Sequence, residues 1–344
     1  MLKKFLIGFA VVLAILVAGY FFYINSGMEL PPETDAVVEK VMAMETLPEL
    51  VTGESGYAEN EGVKIWYEKK TPIDSMRGTI LLIMGHSSTG LIWSNDFCQP
   101  FLDAGYQVIR YDNRGVGNSD WIDNWDEDNP YDLEDMAKDG MAVLDAVGVE
   151  KAHIVGASMG GMIAQRVAIS HADRVASLTS IMSSGYMFDP EMPQADPKDM
   201  QDFIKLGLKY LIPPTEEGAI RFSIGIPELL RGSGDYVNEY EKTAIRTLYE
   251  LRKRKGFNPS VGDHHTAAIQ ASGSRLDELG QIKVPTLIIH GKSDPLVLFE
   301  HCQKYAPLIP QAKKLYIDGM GHDLPKAYYS QIHPAILRNI VEAS

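Results

Sequence analysis

Cysteine is scarce in this sequence, and no metal-ligand pattern surrounds the little there is. Cys98 and Cys302 lie far apart, which predicts two buried thiols, with a single disulfide between them as the alternative. The neighbouring His264 and His265 cannot both face one ion from a regular helix or strand, so no zinc site is expected there. Basic residues are also too few for a nucleic-acid surface, because the net charge is −14 and the pI about 5.1.

An uncharged apolar run stands at the N-terminus. Lys3 and Lys4 precede residues 5–23, and the run ends in aromatic residues. A helix of roughly 19 residues spans about 29 Å, close to one hydrocarbon core. We therefore predict a membrane anchor at 1–23, with the rest of the chain outside the cytoplasm, in the periplasm or at the cell surface. A cleaved signal peptide and a secreted product are the alternative, although its apolar region would ordinarily be shorter.

Strands alternate with helices after a spacer at 24–50, which itself holds one short predicted helix at 34–43. The predicted strands are 63–67, 78–84, 107–111, 152–155 and 175–181, and the predicted helices are 93–104, 133–147 and 159–171. Such alternation predicts an α/β fold, in which a mostly parallel sheet carries helices on both faces and binds ligands beyond the carboxyl ends of its strands. The core is predicted at 51–185 and 273–344. The irregular, largely helical segment 186–272 is predicted to be a cap over the site.

A strand, a tight turn and a helix meet at Gly156-Ala157-Ser158-Met159-Gly160. This arrangement is typical of a nucleophile elbow, in which the serine takes a strained conformation and glycines leave room around it. The pattern predicts that Ser158 is the nucleophile of a serine hydrolase.

An acid and a base follow at the ends of two later predicted strands. Residues 284–294 form a strand and a turn ending in Asp294, and residues 315–322 end in His322. The order serine, acid, histidine is the one that nucleophile-elbow enzymes use, so we predict a triad of Ser158, Asp294 and His322. Asp318 and Asp323 flank the histidine as alternative acids, but they fit the strand–turn geometry less well.

From about residue 57 onward the chain resembles the α/β-hydrolase fold superfamily. The resemblance rests on the elbow, on the motif at 111–119, on 285–295, and on 319–325 with the sequence Gly-Met-Gly-His-Asp-Leu-Pro. Within the superfamily, these motifs are similar to those of a bacterial esterase group that includes the aclacinomycin methylesterases. The elbow is also similar to that of monoacylglycerol lipases.

The resemblance implies an oxyanion hole made of backbone N–H groups. Many members carry His-Gly where this chain has Met84-Gly85, and the donor follows that glycine. By position, His86 supplies one N–H and Met159 the other, while the His86 side chain is not expected to act as a base. Asp112 and Arg114 in the neighbouring turn are expected to have a structural role.

These features together predict a carboxylic ester hydrolase that works through an acyl-enzyme and needs no metal or organic cofactor. The expected partners are a small-molecule ester substrate and, through the N-terminal helix, a membrane; no nucleic acid and no protein partner is predicted. A C–C bond hydrolase or an acyltransferase would use the same triad. A non-catalytic ligand-binding protein on this fold is the remaining alternative.

Overall fold

The computed structural model describes residues 19–20, 22–74 and 76–343, and these divide into two compact units. The smaller unit consists of the described residues up to Thr46 together with Ala195–Leu229 and Asn238–Leu248. The larger consists of Leu47–Gln194, Leu230–Val237 and the described residues from Tyr249 onward. The predicted cap, 186–272, is thus distributed over both units, and its role over the site stays a prediction.

The larger unit is built on one eight-stranded sheet. Its strands are β1 Glu54–Asn60, β2 Val63–Lys70, β3 Gly78–Ile83, β4 Tyr106–Tyr111, β5 Ala152–Ala157, β6 Val175–Ile181, β7 Thr286–Gly291 and β8 Lys313–Ile317. Their order across the sheet is β1-β2-β4-β3-β5-β6-β7-β8. β2 pairs antiparallel with β1 and β4, and all the other pairs are parallel. The predicted mostly parallel sheet is therefore confirmed.

From residue 34 onward, the α-helices follow the alternating pattern. They are α1 Thr34–Met42, α2 Asn95–Asp103, α3 Leu133–Ala146, α4 Met159–Ser170, α5 Pro197–Tyr210, α6 Glu216–Leu229, α7 Tyr240–Lys253, α8 Val261–Ser272, α9 Phe299–Tyr305 and α10 Tyr329–Val341. Residues at the two ends of α3 show how the sequence determines where a helix begins and ends. The Asp132 side chain caps α3 by accepting from the N–H groups of Glu134 and Asp135, and Gly148, with φ 70°, follows its last turn.

Both faces of the sheet are covered in the larger unit. Along β3, Leu81 and Ile83 belong to one buried cluster, whereas Ile80 and Leu82 belong to another. Successive side chains of a strand point to opposite faces, so the two clusters lie on the two sides of the sheet. Burial on both sides explains why the central strands are continuous apolar runs in the sequence.

The first strand, β1, is not predicted by the sequence pattern. Its sequence, ESGYAEN, is mostly polar and largely exposed, so it has no apolar run. Pairing with β2 through the turn at Glu61 and Gly62 holds it in place, and both turn residues have positive φ, 52° and 84°. A two-residue turn of this kind with a glycine was the available signal.

The smaller unit joins the described N-terminal residues to helices from the middle of the chain. Asp35 of α1 pairs with Arg221 of α6 at 2.5 Å, and Lys40 pairs with Glu241 of α7 at 2.7 Å. The helix predicted at 34–43 is confirmed as α1.

Most of the predicted anchor, 1–18 and 21, lies outside the described residues. No helix among the described residues is long and apolar enough to cross a membrane.

Candidate active site

Ser158 occupies the turn between β5 and α4 in a conformation that side-chain-bearing residues rarely adopt. Its φ is 56° and its ψ −125°. A Cβ at Gly156 would collide with the backbone of Gly160, and a Cβ at Gly160 would collide with the backbone carbonyl of Ile83. The two glycines therefore let the helix approach the sheet closely enough to present the serine, as the elbow motif predicted.

His322 and Asp294 meet Ser158 from the loops that follow β8 and β7. His322 Nε2 lies 2.9 Å from Ser158 Oγ, and His322 Nδ1 lies 2.8 Å from Asp294 Oδ2. An ionised carboxylate only accepts, so Nδ1 carries the proton and Nε2 is left to accept from the serine hydroxyl. The three predicted residues are thus brought together in one hydrogen-bonded series, with Asp294 and His322 buried and Ser158 half-buried.

Asp294 is oriented by its own turn. Its Oδ1 accepts from the N–H groups of Leu296 at 2.9 Å and Val297 at 2.8 Å, which leaves Oδ2 for the histidine. His290, at the end of β7, was not singled out in the sequence. Its Nε2 donates to the Val297 carbonyl at 2.8 Å and lies 3.6 Å from Asp294 Oδ2, and burial lowers its pKa. In the sequence, the only indication of this contact is that His290 and Asp294 are four residues apart.

The two alternative acids point elsewhere. The Asp318 side chain is exposed and pairs with Lys292 at 2.8 Å. Asp323 Oδ2 accepts from the Tyr236 hydroxyl at 2.7 Å, and burial raises the pKa of this carboxyl to about 6. The geometry therefore favours Asp294 as the partner of His322.

A segment that sequence reasoning did not single out, 230–237, contacts the loops of both the acid and the histidine. The Leu230 carbonyl accepts from the N–H of His322 at 2.8 Å, and the Ser233 hydroxyl lies 2.7 Å from that of Ser293, next to Asp294. These contacts depend on chain segments far apart in sequence, so periodicity gave no signal for them.

The two predicted oxyanion donors belong to segments that adjoin the serine. Met159 begins α4 directly after Ser158, and His86 follows Gly85, where a Cβ would lie 2.9 Å from the serine Cβ. Within the described part of the chain, neither backbone N–H, of His86 or of Met159, has a hydrogen-bond partner. The His86 imidazole is engaged elsewhere, because its Nε2 donates to the Gly262 carbonyl at 2.9 Å. The oxyanion role stays a prediction.

Asp112 and Arg114 belong to buried ion pairs that include no triad residue. Asp112 pairs with Arg254 and accepts from the N–H of Gly90 at 2.8 Å, while Arg114 pairs with Asp139 at 2.7 Å. Both contacts fix the turn after β4, in the structural role expected for Asp112 and Arg114. Over the described residues, no three His, Cys, Asp or Glu side chains form a group able to hold a metal ion.

The chain is similar to known proteins over most of its length. The family model of the alpha/beta hydrolase fold matches residues 78–325. The chain is similar to the rhodomycin D methylesterase DnrP of Streptomyces peucetius, with 30% identity over 290 residues, which cover 80% of this chain and 95% of that protein. This relative confirms the resemblance to the methylesterase group.

Solved structures share the fold. An esterase from Exiguobacterium antarcticum has a TM-score of 0.63 at 19% identity and covers 85% of this chain and 99% of its own. A bacterial membrane phospholipase A has a TM-score of 0.61 at 20% identity, over 98% of this chain and 99% of its own. Because the family model spans well over half of the sequence, the chain belongs to the α/β-hydrolase fold family.

Proposed function

We propose that this protein is a serine hydrolase of carboxylic esters. The observation that carries the proposal is the continuous hydrogen-bonded series from Ser158 Oγ through His322 to Asp294, built on a strained elbow. This arrangement gives the serine a base and gives the base an orienting carboxylate, which is the geometry of an activated nucleophile.

The reaction proceeds in two halves. His322 Nε2 takes the proton from Ser158 Oγ as the oxygen attacks the ester carbonyl, and the N–H groups of His86 and Met159 stabilise the resulting oxyanion. His322 then gives the proton to the leaving alcohol as the C–O bond breaks. A water molecule, deprotonated by His322, then attacks the acyl-enzyme. The bond between the acyl carbon and Ser158 Oγ breaks, His322 returns the proton to this oxygen, and the acid is released. Asp294 holds the histidine tautomer and stabilises its cationic form.

The choice of an ester bond is supported by the relatives. DnrP and a second rhodomycin D methylesterase, DauP of Streptomyces sp. (strain C5), which is 31% identical over 76% of this chain, are named for ester cleavage. A 3-oxoadipate enol-lactonase from Acinetobacter baylyi is 29% identical over 57% of this chain. A lactone is a cyclic ester, so these names describe one bond type. A hydrolase named for 2-hydroxy-6-oxo-6-phenylhexa-2,4-dienoate, from Comamonas testosteroni, is 28% identical over 67% of this chain and keeps C–C hydrolysis as the second candidate.

The experiment combines active-site labelling with turnover. We expect a fluorophosphonate probe to label the wild type at Ser158, and p-nitrophenyl esters of graded acyl length to be hydrolysed. Ser158→Ala should lose the label, and its kcat should fall by a factor on the order of 10⁵, with folding unchanged by circular dichroism. Labelled protein that turns over no ester would favour C–C hydrolysis or acyl transfer. Absence of any label in folded protein would leave the non-catalytic alternative.

We also propose that residues 1–23 anchor the enzyme in a membrane, with the catalytic unit outside the cytoplasm. Support comes from the two lysines before the apolar run and from the exposed aromatic side chains of Tyr20, Phe22 and Tyr23. The anchored full-length chain should stay in the membrane pellet after a carbonate wash, with its intact mass unchanged. A chain shortened near residue 23 and released into the soluble fraction would favour the cleaved signal peptide.

A further inference from the structure

The loop after β3, which carries the predicted oxyanion donor His86, has an unfavourable backbone conformation that contacts from other segments must stabilise. Ser87, the residue after His86, has a φ of 53°, a region that side-chain-bearing residues favour little. Its N–H donates to Nδ1 of His265 on α8, at 3.0 Å. The N–H of Ser87 is therefore engaged, whereas the N–H of His86 has no partner among the described residues.

His265 can accept this hydrogen bond because its other nitrogen fixes the tautomer. Nε2 lies 2.9 Å from the backbone carbonyl of Arg114, which can only accept, so Nε2 carries the proton and Nδ1 presents a lone pair. The ring is fully buried, and this burial, helped by the neighbouring His86, lowers the pKa of His265 to about 3. The imidazole therefore stays neutral throughout the pH range in which an esterase works.

The same ring joins the loop to the turn after β4. Asn113 of this turn donates to the Met84 carbonyl at 2.8 Å and so secures the start of the loop. His265 ties its middle, because one nitrogen holds Ser87 and the other holds Arg114. The loop packs tightly on the nucleophile, since a Cβ at Gly85 would lie 2.9 Å from the Ser158 Cβ. A small displacement of the loop would thus move the His86 N–H relative to the serine.

We infer that His265 is a positioning residue for the oxyanion hole. By accepting from the N–H of Ser87, it fixes the orientation of the peptide group between His86 and Ser87. The N–H of His86 lies on the other side of the His86 Cα, so its direction is fixed as well. The inference rests on the proposed ester hydrolysis. Oxyanion donors act on the transition state more than on the bound ester, so loss of this support should lower kcat and leave KM nearly unchanged.

Two substitutions of His265 separate the acceptor from the rest of the side chain. His265→Asn places an amide oxygen near the position of Nδ1 and keeps an acceptor for Ser87. His265→Gln places its amide nitrogen near the position of Nε2, which keeps the bond to Arg114 but removes the acceptor. We expect kcat to fall by at least about tenfold in the Gln variant and to stay within about threefold of the wild type in the Asn variant.

A transition-state analogue gives a second readout that simple loosening of the structure would not reproduce. The Ki of a trifluoromethyl ketone, which forms an oxyanion on Ser158, should rise in the Gln variant by the same factor by which kcat/KM falls. His264→Gln is the matched control on the same helix. That ring stacks on Trp125 at 3.9 Å between centroids, and its replacement should leave both constants unchanged.

The outcomes distinguish this inference from the proposed function. A wild type without ester turnover or label would overturn the proposed function itself. An active wild type with equal losses in the Asn and Gln variants, or a Gln variant as fast as the wild type, would overturn the positioning role. Melting temperatures of all three variants, measured alongside, should show the Asn and Gln forms to be equally folded.

Discussion

The backbone of Ser158 is strained, and four hydrogen bonds keep it in place. Its N–H donates to the Ile181 carbonyl at 2.9 Å, and its own carbonyl accepts from Gly161, Met162 and the Ser183 hydroxyl. A residue held in such a region costs on the order of 1–3 kcal/mol, which the surrounding structure must offset. The motif around the serine predicted this feature from the sequence, because the flanking glycines make sense only if a tight turn is present.

Asp323, next to His322, is a half-buried residue whose carboxyl has an incomplete set of partners. Tyr236 donates to its Oδ2 at 2.7 Å, whereas its buried Oδ1 has no hydrogen bond among the described residues. Burial raises its pKa to about 6, against the favourable effects of Tyr236 and His322, and Asp294 adds to the rise. The folded protein therefore holds this proton more tightly than the unfolded chain does.

The pKa of Asp323 makes stability depend on pH in a defined direction. A raised native pKa contributes stability below about pH 4, and this contribution is lost as the pH rises through about 6. Asp323→Asn should therefore match the wild type near pH 4 and be more stable than it at pH 8, by up to about 3 kcal/mol. Urea unfolding at the two pH values measures the difference.

Asp318→Asn is the control for this prediction, because its carboxylate is exposed and pairs with Lys292 at the surface. It should show no comparable change between pH 4 and pH 8. A stability difference for Asp323→Asn that is the same at both pH values would show that its carboxyl titrates normally.

At the scale of the elements, the sequence predicted the strands that are buried on both faces of the sheet. It did not predict β1, whose place depends on pairing with its neighbour β2. β3, β5 and β7 are runs of apolar residues because helices cover them on both sides. β1 is mostly polar and lies at the edge of the sheet, so its sequence contains no apolar run that would predict a strand. For His265 the sequence predicted only that it does not share a metal ion with His264. Its bond to Ser87 joins residues 178 positions apart and could not be predicted from local pattern.

The closeness of α4 to the sheet depends on two glycines of the elbow, and this closeness can be tested by adding one methyl group. Gly156→Ala would push a Cβ into the backbone of Gly160, which cannot move without displacing the helix. We expect a loss of at least about 3 kcal/mol of stability or failure to fold, measured by guanidinium unfolding.

Gly207→Ala offers a matched control in the interior of α5. The added Cβ would meet only a Phe222 ring atom, at 3.9 Å. Alanine favours the helix by up to about 1 kcal/mol over glycine, so this variant should be as stable as the wild type or more so. Equal behaviour of the two variants would mean that α4 does not pack as closely on β5 as described.

At the scale of the whole molecule, the two cysteines report on global unfolding. Both are free and buried, which confirms the predicted thiols. Cys98 belongs to the buried cluster of Ile80 and Cys302 to that of Leu81, so the sheet separates them and no disulfide joins them. Burial raises the pKa of Cys98 to about 11 and that of Cys302 to about 12, which leaves little thiolate at neutral pH.

In the native protein, the thiols of Cys98 and Cys302 should therefore react with Ellman's reagent only when the chain unfolds. We expect no rapid reaction at pH 7.5, and release of both thiols in denaturing guanidinium, because the thiolate forms only once the core opens. An Ile73→Cys variant provides the accessible reference, since Ile73 is exposed on the surface and its replacement should be labelled at once. Ligands that stabilise the fold should slow the reaction of the two native thiols and leave that of the reference unchanged. Rapid labelling of either native cysteine in the folded enzyme would mean that its side of the sheet opens without global unfolding.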